Sequence, residues 1–206
     1  AAAARPLEPH ARVLDACAGP GGKTAMVASS IEAPVVAVEQ HPHRADLVRD
    51  SVRALDDGAV EVITGDVVEH LADAQPYDLI LLDAPCSGLG ALRRRPEARW
   101  TKSAEDLTGL VATQRRLLQA GLENLAPGGR LVYVTCSPVV AETTGQIDWV
   151  VSTIPGVEAI PTASVLAEVA REPLEDAAVG TAVQLWPHRH HSDAMFIQIL
   201  QRTRSD

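Results

Sequence analysis

The chain has 206 residues, of which 46% are hydrophobic and 3% are aromatic. This length and composition predict one domain with a largely aliphatic core. The formal net charge of -9 argues against a protein that binds nucleic acid through its whole surface, because such proteins are usually basic. Any polyanion would therefore have to bind at a local basic patch.

The cysteines and the apolar runs exclude further classes of protein. Cys17, Cys86 and Cys136 are too few and too scattered for a disulfide framework, and no pair has the spacing of a zinc half-site. No run approaches the roughly 18 consecutive apolar residues that span a membrane. The opening alanines 1–4 are too short for a signal-peptide core. We expect a cytoplasmic protein without a membrane anchor, and the missing initiator Met suggests a piece of a longer chain.

The first predicted strand, residues 11–15, leads into a glycine-rich loop at 16–22 and a helix over 23–31. Glycines let a backbone approach a ligand closely, and a helix start offers free N–H donors. The loop is not a phosphate-binding P-loop, because Cys17 occupies the first glycine position, nor a dinucleotide fingerprint, because Thr24 occupies the last. A ligand with an amino-acid moiety suits it better, and the alternative is a plain strand-to-helix turn.

Acidic residues recur at the ends of the predicted strands. The second strand, 34–39, ends in an acid of the kind that commonly accepts hydrogen bonds from ribose hydroxyls. The acid after the third strand, 60–64, either caps the next helix or bonds an adenine amino group. A lone acid at a strand end is often merely solvated, but the repetition favours a shared ligand. The four acids are Asp15, Glu39, Asp66 and Asp83.

The most informative stretch is Asp-Ala-Pro-Cys-Ser-Gly at residues 83–88, which follows the apolar run 77–82. A short apolar run bounded by prolines is typical of a strand buried on both faces. A second β-rich run, 131–134, leads to Cys136. Parallel sheets bind ligands at the carboxyl edge, so Asp83, Cys86 and Cys136 are predicted to face one crevice. The alternative is that both cysteines are small buried hydrophobes.

A strongly basic segment follows, with five basic residues against one acid between positions 93 and 102. Charge runs are usually solvated surface. Because this segment directly follows the loop with Cys86, we expect it to grip phosphates and to stack on or buttress a base. Its residues of interest are Arg93, Arg94, Arg95, Arg99, Trp100 and Lys102.

The later elements are a helix over 103–125, a helix over 141–153 and a final strand within 193–200 that joins the sheet. Ser103 with Asp106 fits a capping box, and the Pro-Gly-Gly at 127–129 is predicted to end the first of these helices. Residues 155–180 are interpreted as a loop-rich insertion. A helix over 43–55 lies earlier in the chain, between the second and third strands.

Three histidines, His188, His190 and His191, lie close together near the end of the chain. Adjacent histidines without a supporting pattern of carboxylates are weak indicators of a metal site. We therefore expect no metal, and a polar contact with substrate is the preferred interpretation.

Taken together and in this order, the motifs resemble those of the RsmB/Sun/Fmu family of RNA (cytosine-C5)-methyltransferases. They are residues 15–24, 83–88, 93–96 with Trp100, and 135–137, within a resemblance from about Val13 to Leu200. The resemblance implies an α/β Rossmann-like methyltransferase fold, with a mostly parallel seven-stranded sheet, an antiparallel last strand and helices on both faces. It implies one catalytic domain over residues 1–206, without the RNA-binding region that the family usually carries ahead of it.

The resemblance also implies a cofactor, S-adenosyl-L-methionine, and a role for each site residue. Cys136 matches the nucleophile, Cys86 the cysteine that assists product release, and Asp83 the acid beside the methyl donor and the target base. Glu39 matches the ribose ligand and Asp66 the acid near the adenine. The implied cofactor set is Cys17, Ala18, Gly19, Pro20, Gly21, Gly22, Lys23, Glu39, Asp66 and Asp83.

Two positions depart from the family pattern. Glu39 stands where many members have Asp, and the acid expected soon after Cys136 is delayed to Glu142, which affects the expected local helix geometry. The residues alone leave the nucleophile open, because DNA cytosine methyltransferases use a Pro-Cys like the one at Cys86. The preference for Cys136 comes from the resemblance.

The implied function is methylation of cytosine C5 in ribosomal RNA through covalent addition of a thiolate to C6. One alternative is a methyltransferase that acts on nitrogen or protein, which would need no pair of thiols. Another is a non-catalytic RNA module of ribosome assembly that binds S-adenosylmethionine and would survive loss of both cysteines. An acidic surface with one basic segment further predicts that this piece binds RNA weakly by itself.

Overall fold

The structure is a computed structural model that describes residues 7, 10–101 and 103–204. The interpretations of alanines 1–4 and of Lys102 lie outside these residues. The strands are β1 Val13–Asp15, β2 Val35–Glu39, β3 Val60–Thr64, β4 Tyr77–Asp83, β5 Leu125–Thr135, β6 Val157–Ile160, β7 Ala178–Val179, β8 Ala182–Gln184 and β9 Phe196–Arg202. The α-helices are α1 Gly22–Ala28, α2 Pro42–Val52, α3 Val67–Ala72, α4 Ala98–Thr101, α5 Ala104–Glu123, α6 Thr144–Thr153, α7 Thr162–Ala167 and α8 Pro187–His190. Short 3₁₀ turns cover Leu89–Ala91 and Val140–Glu142.

All these strands join one sheet with the order β3-β2-β1-β4-β5-β9-β8-β7, and β6 pairs with β9. Strands β1 to β5 pair in parallel, whereas β9 runs antiparallel to β5. This confirms the predicted Rossmann-like α/β fold with an antiparallel last strand. The described residues form nine strands instead of seven, because β6, β7 and β8 extend the sheet beside β9.

The core is largely aliphatic, as the composition predicts. Strands β1, β4 and β5 bring Leu14, Ile80 and Leu131 to its centre, where each side chain is fully buried. Full burial of such a side chain contributes about 1.5–3 kcal/mol to the free energy of unfolding. The aromatic rings of Tyr133 and Phe196 meet edge to face, with centroids 6.2 Å apart. This core holds the carboxyl ends of β4 and β5 side by side.

The long helix α5 lies close to its predicted range. Its capping box is present, since Ser103 Oγ accepts from the Asp106 amide at 3.2 Å and Asp106 Oδ2 accepts from the Ser103 amide at 2.9 Å. Helices α1 and α2 end at Ala28 and Val52, before their predicted ends.

Two predictions of irregular structure were wrong. Pro-Gly-Gly at 127–129 lies inside β5 and not at the helix end. The pairing there shifts from Tyr77 with Leu125 to Leu79 with Arg130, so these residues form an irregularity that the strand tolerates beside β4. Residues 155–180 contain three short elements, β6, α7 and β7, between irregular segments, and Val157 of β6 packs against the main core.

No helix within the described ranges is long and apolar enough to cross a membrane. The same residues contain no group of three or more His, Cys, Asp or Glu side chains that could hold a metal ion.

Candidate active site

The two predicted catalytic cysteines lie together. Cys86 follows β4 and Cys136 follows β5, and these strands are parallel neighbours with Asp83 paired to Val134. The Sγ atoms of Cys86 and Cys136 are 3.4 Å apart, within hydrogen-bonding distance for sulfur. Two turns that are 50 residues apart in sequence therefore form one thiol pair.

The thiol pair is asymmetric in its protonation. The hydrogen bond from Cys86 lowers the pKa of Cys136 to about 7, and the nearby Lys23 ammonium also lowers it, although desolvation and Asp83 oppose this. The same hydrogen bond, together with burial, raises the pKa of Cys86 well above the ordinary value for a thiol. The thiolate is therefore favoured on Cys136, and a thiolate is the nucleophilic form of cysteine.

Asp83 and Lys23 form an ion pair beside the thiols. Lys23 Nζ donates to Asp83 Oδ2 at 2.7 Å, and the two side chains are 43% and 29% exposed. Lys23 belongs to the glycine-rich loop and the start of α1, so this pair joins the loop after β1 to the end of β4. In this arrangement Asp83 has an ammonium donor directly beside the thiols.

Asp15 ends β1 beneath the same loop. Its Oδ2 accepts from Thr24 Oγ1 at 2.7 Å, whereas its buried Oδ1 has no hydrogen-bond partner among the described residues. Burial raises the pKa of Asp15 to about 6, against the lowering effect of the Thr24 hydrogen bond. A buried carboxylate oxygen without a donor fits a ligand that brings a cationic or amine group.

Burial also decides the protonation state of the third cysteine, Cys17. It raises the pKa of Cys17 to about 12, and the nearby negative charges of Asp15, Glu39 and Asp83 add to this effect. Cys17 is therefore a neutral thiol in the loop and lacks the thiolate character of a nucleophile.

The glycine-rich loop is packed so tightly around Gly19 and Gly21 that these two positions require glycine. A Cβ at Gly19 would overlap Glu39 Oε2, and a Cβ at Gly21, where φ is 108°, would lie 2.7 Å from Ser51 Cβ. The Gly19 amide donates to Glu39 Oε2 at 3.0 Å, and Arg44 donates to the Gly19 carbonyl at 2.6 Å. The loop and the end of β2 thus form one cradle, next to the unpartnered oxygen at the end of β1.

The structure shows a local role for each of the two acids that were expected to hold the cofactor's ribose and adenine. Glu39 is 4% exposed and accepts from the Gly19 and His41 amides, so it fixes the loop. Asp66 caps α3, accepting from the Val68 amide at 2.8 Å. The capping alternative for Asp66 is therefore present, and the ribose and adenine roles stay predictions.

The basic segment divides into two parts. Arg94 donates through Nε and Nη2 to Asp193 Oδ2, at 2.8 Å for Nε, and Arg93 Nη2 lies 3.6 Å from Asp193 Oδ1. These two arginines therefore attach the segment to the chain just before β9. Arg95, Arg99 and Trp100 are exposed, Trp100 to 82%.

Gly90 joins three parts of the site. Its amide donates to the Cys136 carbonyl at 2.9 Å, and its own carbonyl accepts from the Ala194 amide at 2.9 Å. A Cβ at this position would overlap the Ala194 carbonyl oxygen and lie 2.8 Å from the Cys136 carbonyl. The turn after Cys86 can therefore approach the Cys136 turn this closely only with glycine at position 90.

Sequence reasoning missed a buried polar network under the thiols. Glu142 is fully buried and accepts hydrogen bonds from Ser87, Ser137 and Gln114. The only signal in the sequence was the delayed acid after Cys136, which was interpreted as a change in helix geometry. In the structure α6 begins at Thr144, and Glu142 ends the 3₁₀ turn before it.

Among the late histidines, His190 makes contacts within its own part of the chain. His190 Nδ1 accepts from the Trp186 amide at 2.9 Å, and its Nε2 lies 2.9 Å from the Glu175 carbonyl oxygen. This pattern fits a neutral imidazole that stabilises the chain around α8. The predicted contact of the histidines with substrate stays a prediction.

Comparison with known proteins agrees with this geometry. A family model described as 16S rRNA methyltransferase RsmB/F matches residues 3–201. The candidate methyltransferase Rv1407 of Mycobacterium tuberculosis is 46% identical over 195 residues, which are 93% of this chain and 40% of that protein. Ribosomal RNA small subunit methyltransferase B of Xanthomonas campestris is 36% identical over 198 residues, 94% of this chain and 43% of its own length. The chain thus spans less than half the length of these relatives.

The fold comparison includes a structure with a cofactor analogue. NSun6 from Pyrococcus horikoshii, solved with the S-adenosylmethionine analogue SFG, matches with a TM-score of 0.78 and 24% identity. The match covers 96% of this chain and 49% of that one, and it shows the shared fold. The cofactor is S-adenosylmethionine, and the cradle with its unpartnered Asp15 oxygen fits this group. The chain belongs to the 16S rRNA methyltransferase RsmB/F family.

Proposed function

We propose that this chain is the catalytic domain of an RNA (cytosine-C5)-methyltransferase that acts on ribosomal RNA, with Cys136 as the nucleophile. The observation that carries the proposal is the thiol pair, with 3.4 Å between the Sγ atoms of Cys86 and Cys136. Methylation of a nitrogen or a protein side chain needs no such pair. The proposed substrate implies a cytoplasmic location.

The chemistry explains why a thiolate is needed. C5 of cytosine is a poor nucleophile, and addition of the Cys136 thiolate to C6 converts the ring into an enamine that is nucleophilic at C5. The lowered pKa of Cys136 supports this role, since it makes the thiolate available near neutral pH. Bound S-adenosylmethionine supplies an electrophilic methyl group on a sulfonium.

Asp83 and Lys23 are proposed to stabilise the negative charge that develops on the base. Addition of the thiolate to C6 builds electron density at N3, and a donor near N3 stabilises it. Asp83 accepts from Lys23 at 2.7 Å, so the pair contains a carboxylate and a proton-bearing ammonium at one place. We propose that this pair hydrogen-bonds or protonates N3.

Cys86 is proposed to assist release of the product. The C5 proton must leave before the Cys136–C6 bond breaks and the thiolate departs. The Cys136 hydrogen bond and charge are among the causes that raise the pKa of Cys86. Once Cys136 is bonded to carbon it carries no negative charge, so Cys86 can more easily lose its own proton to solvent and become a thiolate. Cys86, or a water that it positions, then takes the C5 proton.

RNA is proposed to bind over the exposed part of the basic segment. Cytosine C6 is hidden in a base stack, so the target base must be turned out of its helix or presented in a loop. Arg95 and Arg99 are exposed for phosphate contacts, and Trp100 is exposed for stacking. The RNA-binding roles of Arg93 and Arg94 would have to be shared with their contacts to Asp193.

The proposal is tested with S-adenosylmethionine and ribosomal RNA that contains 5-fluorocytidine, whose fluorine cannot leave C5 as a proton does. The protein, Cys136→Ala and Cys86→Ala are incubated in parallel and run on a denaturing gel. We expect a denaturation-resistant protein–RNA adduct that is lost in Cys136→Ala. Loss only in Cys86→Ala would reverse the two cysteine assignments.

Absence of any adduct, with binding of both the cofactor and the RNA shown separately, would reject the covalent mechanism. Methylation that survives Cys136→Ala would favour an enzyme acting on nitrogen or protein. Intact RNA binding without methyl transfer would favour a non-catalytic module of ribosome assembly.

A further inference from the structure

Glu142 is a fully buried carboxylate that lies between the two cysteine turns. A buried carboxylate is costly unless hydrogen bonds satisfy both of its oxygens. Oε1 accepts from the Ser87 amide at 2.7 Å and from Gln114 Nε2 at 3.0 Å. Oε2 accepts from Ser87 Oγ at 2.6 Å and from Ser137 Oγ at 2.6 Å. The carboxylate therefore has two donors on each oxygen.

These donors are the direct neighbours of the thiols in sequence. Ser87 follows Cys86, and Ser137 follows Cys136, so one carboxylate fixes both turns at once. Gln114 of α5 also donates to the Pro85 carbonyl at 2.9 Å, which holds the Cys86 turn from its other side. Hydrogen bonds to charged groups are about twice as strong as neutral ones, which makes this attachment rigid.

Glu142 is itself fixed to the strand that delivers Cys136. The Tyr133 hydroxyl donates to the Glu142 carbonyl at 2.9 Å, and Thr135 Oγ1 donates to the same oxygen at 3.4 Å. Both donors lie in β5. The backbone of Glu142 is therefore held at a defined position relative to Cys136, and its carboxylate reaches the Cys86 turn from there.

We propose that Glu142 is a positioning residue that holds the two thiols at hydrogen-bonding distance and keeps the proton on Cys86. It acts through Ser87 and Ser137. The hydrogen bond with Cys136 and burial raise the pKa of Cys86, and the negative charge of Glu142 adds to this effect, in agreement with this role. The consequence for catalysis rests on the proposed function, whereas the effect on the thiols does not.

The test measures the thiols without RNA. The protein and its variants are alkylated with iodoacetamide between about pH 5 and pH 9, and mass spectrometry of the separate peptides gives a rate for Cys86 and for Cys136. The variants are Glu142→Gln, which keeps the side-chain shape, and Ser137→Ala, which removes one donor. Val35→Ala is the control, because Val35 is buried at the opposite end of the parallel strands and its loss destabilises the core without touching the network.

In Glu142→Gln we expect the pH midpoint of the Cys136 alkylation profile to rise toward that of a free thiol. For each pH unit of this rise, the alkylation rate of Cys136 near pH 7 should fall by about tenfold. Cys86 should become more reactive relative to Cys136. Ser137→Ala should shift the profile in the same direction by less, and Val35→Ala should leave it unchanged. A Glu142→Gln profile that coincides with that of the unmodified protein would overturn the proposal.

If Glu142→Gln does not fold, the alkylation profile of Ser137→Ala tests the proposal in its place. An unshifted profile in that variant also overturns the proposal. The outcome is separable from that of the adduct experiment. A shifted thiol profile without any RNA adduct would leave the role of Glu142 intact and reject cytosine-C5 chemistry. An RNA adduct together with an unshifted thiol profile would support cytosine-C5 chemistry and reject the role of Glu142.

Discussion

At the scale of single residues, hydrogen bonds and burial give side chains of the same type different protonation states. Cys136 has a lowered pKa because Cys86 donates to it, Cys86 has a raised one, and burial keeps Cys17 neutral. Asp15 has one oxygen bonded to Thr24 and one without a donor. These differences are the source of two predictions.

The first concerns the pH dependence of methylation. With the pKa of Cys136 at about 7, the reactive thiolate is lost as the pH falls through that value. We expect kcat/KM for methyl transfer to rise with pH up to about 7 and then to level off, with a slope near tenfold per unit on the acid side. A kcat/KM that does not change between about pH 5.5 and pH 7 would contradict the lowered pKa.

The second concerns Asp15 and stability. Its pKa is raised from 3.8 to about 6, so burial of the charged form opposes folding. This cost is absent below the unfolded value, develops between pH 3.8 and about pH 6, and is complete above it. Without cofactor, Asp15→Asn should therefore raise the free energy of unfolding at pH 7 by up to about 3 kcal/mol.

Urea unfolding of Asp15→Asn and the unmodified protein at pH 7 and near pH 4 measures this difference. The two stabilities should converge at the lower pH, and Asp15→Asn should bind S-adenosylmethionine more weakly. Equal stability of the two proteins at both pH values would show that Asp15 is not strained by its burial.

At the scale of secondary-structure elements, the site depends on how closely the turns after β4 and β5 approach each other. Parallel pairing of these strands aligns their carboxyl ends, and Gly90 then lies between the Cys136 carbonyl and the Ala194 amide. The glycine is needed for close approach of the backbone and not for a positive φ, which the structure records at Gly88 but not at Gly90.

Gly90→Ala should therefore separate the two cysteine turns. Overpacking of a tight site costs about 1–3 kcal/mol, so we expect a lower midpoint in thermal unfolding and a large loss of methylation. Gly109→Ala is the matched control, since no atom lies within 4 Å of its Cβ position in α5. Alanine favours a helix by about 1 kcal/mol over glycine, so the control should be at least as stable as the unmodified protein. Equal activity of the two variants would reject this role for Gly90.

At the scale of the whole molecule, the proposed RNA would have to bind an acidic chain through a small area. The net charge is -9, and two arginines of the basic segment are engaged with the 8% exposed Asp193. The exposed Arg95, Arg99 and Trp100 remain as the proposed RNA contacts.

Arg95→Ala and Arg99→Ala should each weaken RNA binding and reduce its dependence on salt. Each lost phosphate contact should lower the slope of log K against log salt by about 0.7–0.9, without loss of stability.

Arg94→Ala should also destabilise the protein, because Asp193 would lose its main partner. Arg53→Ala, which replaces an exposed arginine directly after α2 and outside the segment, is the control and should change neither property. Fluorescence anisotropy over a salt series measures the slopes, and an unchanged slope in Arg95→Ala and Arg99→Ala would remove them from the interface.

The sequence by itself determined the strands β1 to β5, the helices α1, α2, α5 and α6 and the motifs at the strand ends, and the resemblance carried by those motifs implied the fold class. This was possible because apolar runs, glycines and capping residues act locally and their spacing is visible in one dimension. It failed where the local signal was ambiguous. The Pro-Gly-Gly at 127–129 marks a turn in most settings, yet pairing with β4 keeps it within β5.

Tertiary structure alone decided how the candidate site is arranged. The 3.4 Å between the Cys86 and Cys136 sulfurs, the Arg94 contact with Asp193 and the buried carboxylate of Glu142 all join residues from separate elements. Their protonation and pairing depend on distance and burial, and neither quantity has a periodic signature along the chain. Only when the parallel strands align their carboxyl ends do these side chains become neighbours.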